Sequence, residues 1–338
     1  YTKNLGIPFG YTLQNSHAAK SNQVSVVMVP KAKDGSMLNG SFTNRSSLSY
    51  LAGVGDGVAK TVENTPHGVL VFFSSYSIMQ SCIDKWKEKG MAALSIWDRI
   101  KRKEIVIEPK NKSELAQARF TFNNAISTKG GAVFFAVCRG KVSEGIDFAD
   151  THSRAVVIVG IPYPPVHEPR VRLKRNYLDE CNQKDRECMS GGSWYLMEGF
   201  RAVNQAIGRV LRHVHDYGVV VLLDSRFHSA TASSFPRWVQ NSFERIGDVS
   251  EIEKSLKKFF GRHGGPKGGM TSEAMTSSSS VAEKRNRSIM IGGGRSTIEP
   301  QGIKSIASQY NGSVPVEVEK DEPKLATVSK GFLNRAVS

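Results

Sequence analysis

Nothing in this sequence is built to cross a membrane or to be stapled by sulfur. No apolar run reaches the roughly 18 residues that a spanning helix needs, and no signal-peptide pattern stands anywhere in it. The expectation is an intracellular chain with no membrane partner. Cysteine is scarce: Cys82, Cys138, Cys181 and Cys188 are the four, and none has C-x-x-C spacing. That argues against a disulfide scaffold, a zinc site or a redox pair. Cys82 and Cys138 sit in apolar surroundings and read as inert buried thiols. The phosphate-gripping pattern G-x-x-x-x-G-K-[ST] is missing as well. Its nearest approach, "GVGDGVAKT", has Val54 where the first glycine is needed and Ala59 before Lys60. "LDEC" at 178–181 follows no strand signal, so it does not read as the acidic box that accompanies such a loop.

Aromatic residues nearly vanish after residue 262, where only Tyr310 and Phe332 remain among "GGPKGGM", "TSSSS" and "GGGR". Such a stretch cannot bury enough surface to order itself, so 263–338 is expected to be a disordered Gly/Ser-rich tail able to recruit protein partners. With ten Lys/Arg and seven Asp/Glu the tail carries +3 of the net +15, leaving +12 on residues 1–262. A folded part that basic, in a chain of pI near 9.7, points to a polyanionic partner, nucleic acid first.

What is present before 262 is regular. Apolar, β-branched runs recur at 24–29, 68–73, 104–108, 132–137, 155–160 and 218–224. Continuous runs of this kind mark a sheet covered on both faces. Segments 76–89, 113–126 and 196–213 read as covering helices, giving an α/β sandwich with a mostly parallel sheet. In such sheets the chemistry gathers beyond the carboxyl ends of the strands.

Three polar clusters fall there. "SSY", Ser74 to Tyr76, follows one strand and by itself reads as a helix cap. "CRGKVSEGIDF", Cys138 to Phe148, follows another and by itself reads as a turn about Gly145. In "NQAIGRVLRH", 204–213, helical spacing gathers Phe200, Val203, Ile207, Val210 and Leu211 on one stripe and sets Gln205, Arg209 and Arg212 on the opposite side.

In this order, "SSY", "CRGKVSEGIDFAD", "GIPYPP" and "RAVNQAIGRVLRHVHDYGVVVLLDSRF" resemble motifs IV, V and VI of the XPD-like superfamily 2 iron-sulfur DNA helicases, over nearly all of residues 1–260. The resemblance implies a RecA-like second motor lobe and a nuclear, ATP-dependent helicase moving 5′ to 3′ on single-stranded or branched DNA in telomere, recombination or repair work. It implies that Arg209 and Arg212 stabilise charge on the transferred phosphoryl group, with Gln205 a polar contact at the same cleft and Gly208 allowing close approach. Glu144, Gly145 and Asp147 would shape the nucleotide side of motif V, and Ser74, Ser75, Tyr76, Arg139, Lys141 and Ser143 would meet the strand. ATP and magnesium would be shared with an N-terminal lobe. No DEAH-like box precedes the motifs and the family's four clustered cysteines are absent, so any iron-sulfur cluster belongs to that other part. The opening "NLGIPFGYTLQNSHAAK" resembles the hinge into a second lobe, which makes this chain a carboxyl-terminal portion, expected to be inactive alone. Two other readings stay open: a non-catalytic single-strand-binding module, and an interaction protein working through its tail.

Overall fold

A computed structural model of the chain describes residues 7, 9–11, 20–89, 94–140, 148 and 150–264. Seven strands make one sheet: β1 (Val24–Val29), β2 (His67–Phe73), β3 (Glu104–Ile107), β4 (Gly131–Val137), β5 (Ala155–Val159), β6 (Gly218–Leu223) and β7 (Phe243–Arg245). They lie in the order β3-β4-β2-β5-β6-β1-β7, every neighbouring pair parallel. The six apolar runs of the sequence are thus six of these strands, to within a residue or two at each end. β7, only three residues long, carried no such run.

Among the described residues six helices have ten or more residues: α1 (Leu48–Glu63), α2 (Tyr76–Lys87), α3 (Leu115–Lys129), α4 (Pro169–Lys184), α5 (Gly191–Ile207) and α6 (Ile252–Gly261). Side chains alternate across each strand, so the sheet feeds two cores. Val27, Val69, Val71, Phe73, Phe135, Val157 and Val221 pack under α1, α2 and α6. Val26, Leu70, Phe72, Phe134, Ile158 and Val220 pack under α3 and α5. The expected parallel sheet covered on both faces is what the chain builds. Cys82 and Cys138 lie inside it, and burial pushes the Cys138 thiol up to about 12.

The stretch nearest to a phosphate loop is a helix-packing surface. "GVGDGV" lies within α1, where a Cβ at Gly55 would stand 2.3 Å from Nε1 of Trp86 and one at Gly57 2.9 Å from Leu223. Glycine costs a helix interior about 1 kcal/mol against alanine, a cost offset here by letting α1 lie directly on α2 and the sheet. Trp86 Nε1 in turn donates to the Leu51 carbonyl at 2.8 Å. Gly55→Leu is expected to lower stability by about 3 kcal/mol, the upper range for overpacking. A urea midpoint equal to wild type would show that α1 does not approach Trp86 so closely.

"LDEC" lies inside α4 and follows no strand. The tail expected from 263, the opening "NLGIPFGYTLQNSHAAK" in most of its residues, and Lys141, Ser143, Glu144, Gly145 and Asp147 lie outside the described residues. His263 is described, stacked on Tyr217 with ring centroids 4.4 Å apart.

One expectation fails. The helix anticipated over 196–213 runs from Gly191 to Ile207, so Gln205, Arg209 and Arg212 do not share a helical face. Past Ile207 the hydrogen bonds tighten to three-residue spacing, Arg209 N–H to Ala206 at 3.0 Å and Val210 N–H to Ile207 at 3.1 Å. Val210 and Leu211 still bury their side chains, but from a turn. The cause lies further along. Asp216, 1% exposed, accepts from the Arg212 N–H at 3.2 Å, the Tyr217 N–H at 3.0 Å and Nη1 of Arg154 at 2.6 Å. Arg154, at the foot of β5 and 7% exposed, also lies 4.1 Å over the Tyr217 ring. A buried cation fixed on the sheet needs its carboxylate, and the chain leaves its helix to deliver Asp216 there.

Candidate nucleic-acid interface

The carboxyl ends of β2, β4 and β5 open into a cavity of about 490 Å³. Ser74, Ser75, Tyr76 and Arg139 all line it, so motif IV and the start of motif V do meet. Ser75 also caps α2, its Oγ accepting from the Ile78 N–H at 3.3 Å. The capping and ligand-facing readings of this serine are therefore compatible, since a helix start presents further N–H groups to an anion. Tyr76 faces the buried carboxylate of Glu108. Burial, then that negative charge and a hydrogen bond to it, push the phenol up to about 12. Glu108 itself accepts from the Val137 N–H at 2.7 Å, fixing the end of β4.

Arg139 occupies a tight turn closed by the Gly140 N–H on the Val137 carbonyl at 2.9 Å. Its φ is +61°, left-handed backbone that costs a non-glycine residue roughly 1–2 kcal/mol. The side chain supplies compensation: its guanidinium donates to the Glu198 carbonyl and lies 3.6 Å from the Glu198 carboxylate.

The other wall was not foreseen. Glu168, Arg170, Val171 and Lys174 at the start of α4 and Trp194 and Glu198 of α5 complete the cavity, together with Pro162 to Pro165. Two cations spaced four apart on "PRVRLK" were the available signal, hidden in a helix that the sequence reading left unassigned. Beside this wall runs a ladder: Arg175 lies 5.0 Å over the Tyr195 ring, Tyr195 stacks on Tyr163 at 5.1 Å, and Arg226 lies 5.8 Å from the Tyr163 ring. Arg226 is held in turn by Asp224, fully buried at the end of β6, through contacts of 2.8 and 2.7 Å. Trp194 lines the cavity and is absent from this ladder, so it is a ring there that can meet a planar ligand.

Gln205 does not reach this cavity. It lines a smaller one, about 180 Å³, with Arg139, Glu198, Arg201 and Ala202, so motif VI touches the start of motif V there. Gly208 ends α5 in right-handed backbone, Arg209 lies one residue beyond it, and Arg212 is exposed before the turn to β6. One group of metal-type ligands occurs among the described residues, Asp150, His213 and Asp216, with atoms within 4.8 Å of one another. Both Asp216 oxygens accept hydrogen bonds already, and His213 Nε2 is 2.7 Å from Asp150 while its Nδ1 accepts from the His215 N–H. We assign no metal to it.

Comparison with known proteins follows the same lines. The family model described as the helicase C-terminal domain matches residues 58–242. Regulator of telomere elongation helicase 1 homologues of Caenorhabditis briggsae and Caenorhabditis elegans are 46% identical over 272 and 271 residues, 78% of this chain and 27% of theirs. The Drosophila willistoni homologue is 39% identical over 263 residues, 77% of this chain and 26% of its own length. The chain thus spans little more than a quarter of the relatives that it matches. Among solved structures, an XPD helicase gives a TM-score of 0.44 at 23% identity, covering 66% of this chain and 35% of that one. The S. tokodaii Xpd4 structure gives 0.45 at 20%, covering 71% and 42%. "GIPYPP", "LDE" at 178–180, "SGGSWY" and "RAVNQAIGRV" resemble the telomere-elongation helicase too, with the Fanconi anaemia group J helicase a near neighbour by those motifs.

Proposed function

This chain belongs to the helicase C-terminal domain family, and we propose that it is the second-lobe part of an XPD-like superfamily 2 helicase, an ATP-dependent, 5′-to-3′ DNA helicase of genome maintenance in the nucleus. The reading assigns the 490 Å³ cavity to the DNA strand. The observation that carries it is the convergence there of Ser74, Ser75, Arg139, Arg170 and Lys174 around one indole ring, Trp194, with three cations against the two carboxylates of Glu168 and Glu198 on the described lining. Hydroxyls, a helix start and arginine grip phosphates without regard to sequence, and an indole stacks on any base.

For the nucleotide, the donor set fits: the Gln205 amide and the Arg209 and Arg212 guanidiniums, fork-shaped and permanently charged. Bound ATP with magnesium would supply the transferable phosphoryl group. Gln205, Arg209 and Arg212 would hold its outer oxygens from this side, and a first lobe would hold the rest. Since phosphoryl transfer is nearly all positioning and electrostatics, residues 1–338 alone are expected to show no DNA-stimulated ATP hydrolysis.

Fluorescence anisotropy with oligonucleotides of different sequence tests the strand assignment. The chain is expected to bind them alike and to lose affinity steeply with salt. Arg139→Gln should flatten the slope of log K against log salt by about one unit. Binding that ignores salt, or an Arg139→Gln slope equal to wild type, would remove the strand from this cavity.

A further inference from the structure

We propose that Glu198 sets how tightly the cavity holds a strand, by standing in for a backbone phosphate on Arg139. The inference rests on the strand reading above and names a residue that opposes binding. Glu198 lines both the 490 Å³ cavity and the smaller one beside it. Its carboxylate is divided between two guanidiniums: Nη1 of Arg201 at 2.7 Å and Nη1 of Arg139 at 3.6 Å. The Arg139 contact is the looser, and of the two guanidiniums only that of Arg139 lines the 490 Å³ cavity. A strand phosphate offers Arg139 the bidentate pairing that the carboxylate at 3.6 Å does not. Arg139 therefore exchanges one anion for another when the strand arrives.

Glu198 does not leave with the exchange. Its side chain is only 13% exposed in the wall, and Arg201, three residues on along α5 and itself 63% exposed, stays paired with it. The strand must then lie beside a fixed negative charge in partly desolvated surroundings, where like charges repel more strongly than in water. Strand binding is thus opposed twice, by the pairing that Arg139 gives up and by the charge that stays behind. Arg201 precedes Gln205 by one helical turn, so the same carboxylate ties the strand cavity to the motif VI end of α5.

The test is a double-mutant cycle on the 338-residue chain, read by anisotropy with labelled oligothymidylate over a salt series: wild type, Glu198→Gln, Arg139→Gln and the double variant. Glu198→Gln is expected to tighten binding about fivefold, the upper range for a solvent-accessible charge pair. That gain should largely vanish in the Arg139→Gln background, because coupling of this kind marks residues that share a contact. Thermal melting accompanies each variant, and Glu198→Ala repeats the comparison should the glutamine variant melt early. A purely structural Glu198 would weaken binding and stability together, whatever stands at 139, and that result overturns the proposal. So does an equal gain in both backgrounds. Failure of the wild-type chain to bind the oligonucleotide would instead bring down the strand reading, and the proposal with it.

Discussion

Asp216→Ala is expected to destabilise the lobe by about 3–5 kcal/mol, the range for removing one partner of a buried ion pair. The change strands Arg154 at 7% exposure, its guanidinium left with the Tyr217 carbonyl at 2.8 Å and the Tyr217 ring. It also strips the Arg212 and Tyr217 N–H groups of their acceptor. Asp216→Asn keeps the shape and one carbonyl oxygen, and should cost less than alanine does. Chemical denaturation of the three proteins decides it. Should alanine cost under about 1 kcal/mol, as most surface changes do, this pair does not end α5 and some other contact must.

The second large effect is catalytic and belongs to a protein that joins this lobe to a first motor lobe. Arg209→Lys and Arg212→Lys are each expected to lower ATP turnover by about a hundredfold or more, because arginine contacts to the transferred phosphoryl are worth about 10³–10⁵ in related systems. Lysine keeps the charge and loses the fork. Strand affinity and melting temperature should stay near wild type, since both residues lie off the strand cavity, beyond the end of α5. The turn geometry adds an asymmetry absent from a single helical face. Arg212 has its own N–H tied to Asp216, so Asp216→Asn should loosen Arg212 more than Arg209 and shift turnover as Arg212→Lys does. Turnover unchanged in both lysine variants would leave these arginines as surface residues.

The legible part of this molecule was the part with one dominant cause. Runs such as "VLVFF" and "AVVIVG" are short, apolar and rich in β-branched and aromatic residues, which favours buried strands, and six of the seven described strands were readable from them. The missed helices failed for separate reasons. In α1, glycines that serve close packing against Trp86 and Leu223 imitate a phosphate loop. α4 is polar nearly throughout and buries only Val171 and Leu178, so it shows almost no apolar stripe. The end of α5 was hidden because Val210 and Leu211 continue the helical pattern. What stops the helix is a carboxylate whose arginine stands 62 residues back in the chain. The same holds at the site. Ser74 to Tyr76 and Arg139 could be placed from their strands, whereas Arg170, Lys174, Trp194 and Glu198 reach the cavity through packing of α4 and α5 that no local spacing displays.

The strand order has a consequence for how the lobe comes into being. β1 lies between β6 and β7, whose paired residues stand 194 and 217 positions further along the chain, as in Val24–Gly218 and Val26–Phe243. As the chain leaves the ribosome, β1 must wait for nearly the last strand, while β2, β4 and β5 can pair among themselves. Parallel sheets with such distant pairings fold slowly, and unpaired edges invite association in the meantime. A chain interrupted anywhere before Gly218 would leave "VSVVMV" with both edges bare. Premature stops and proteolytic nicks ahead of β6 should therefore produce aggregating material, and those after Gly261 should not.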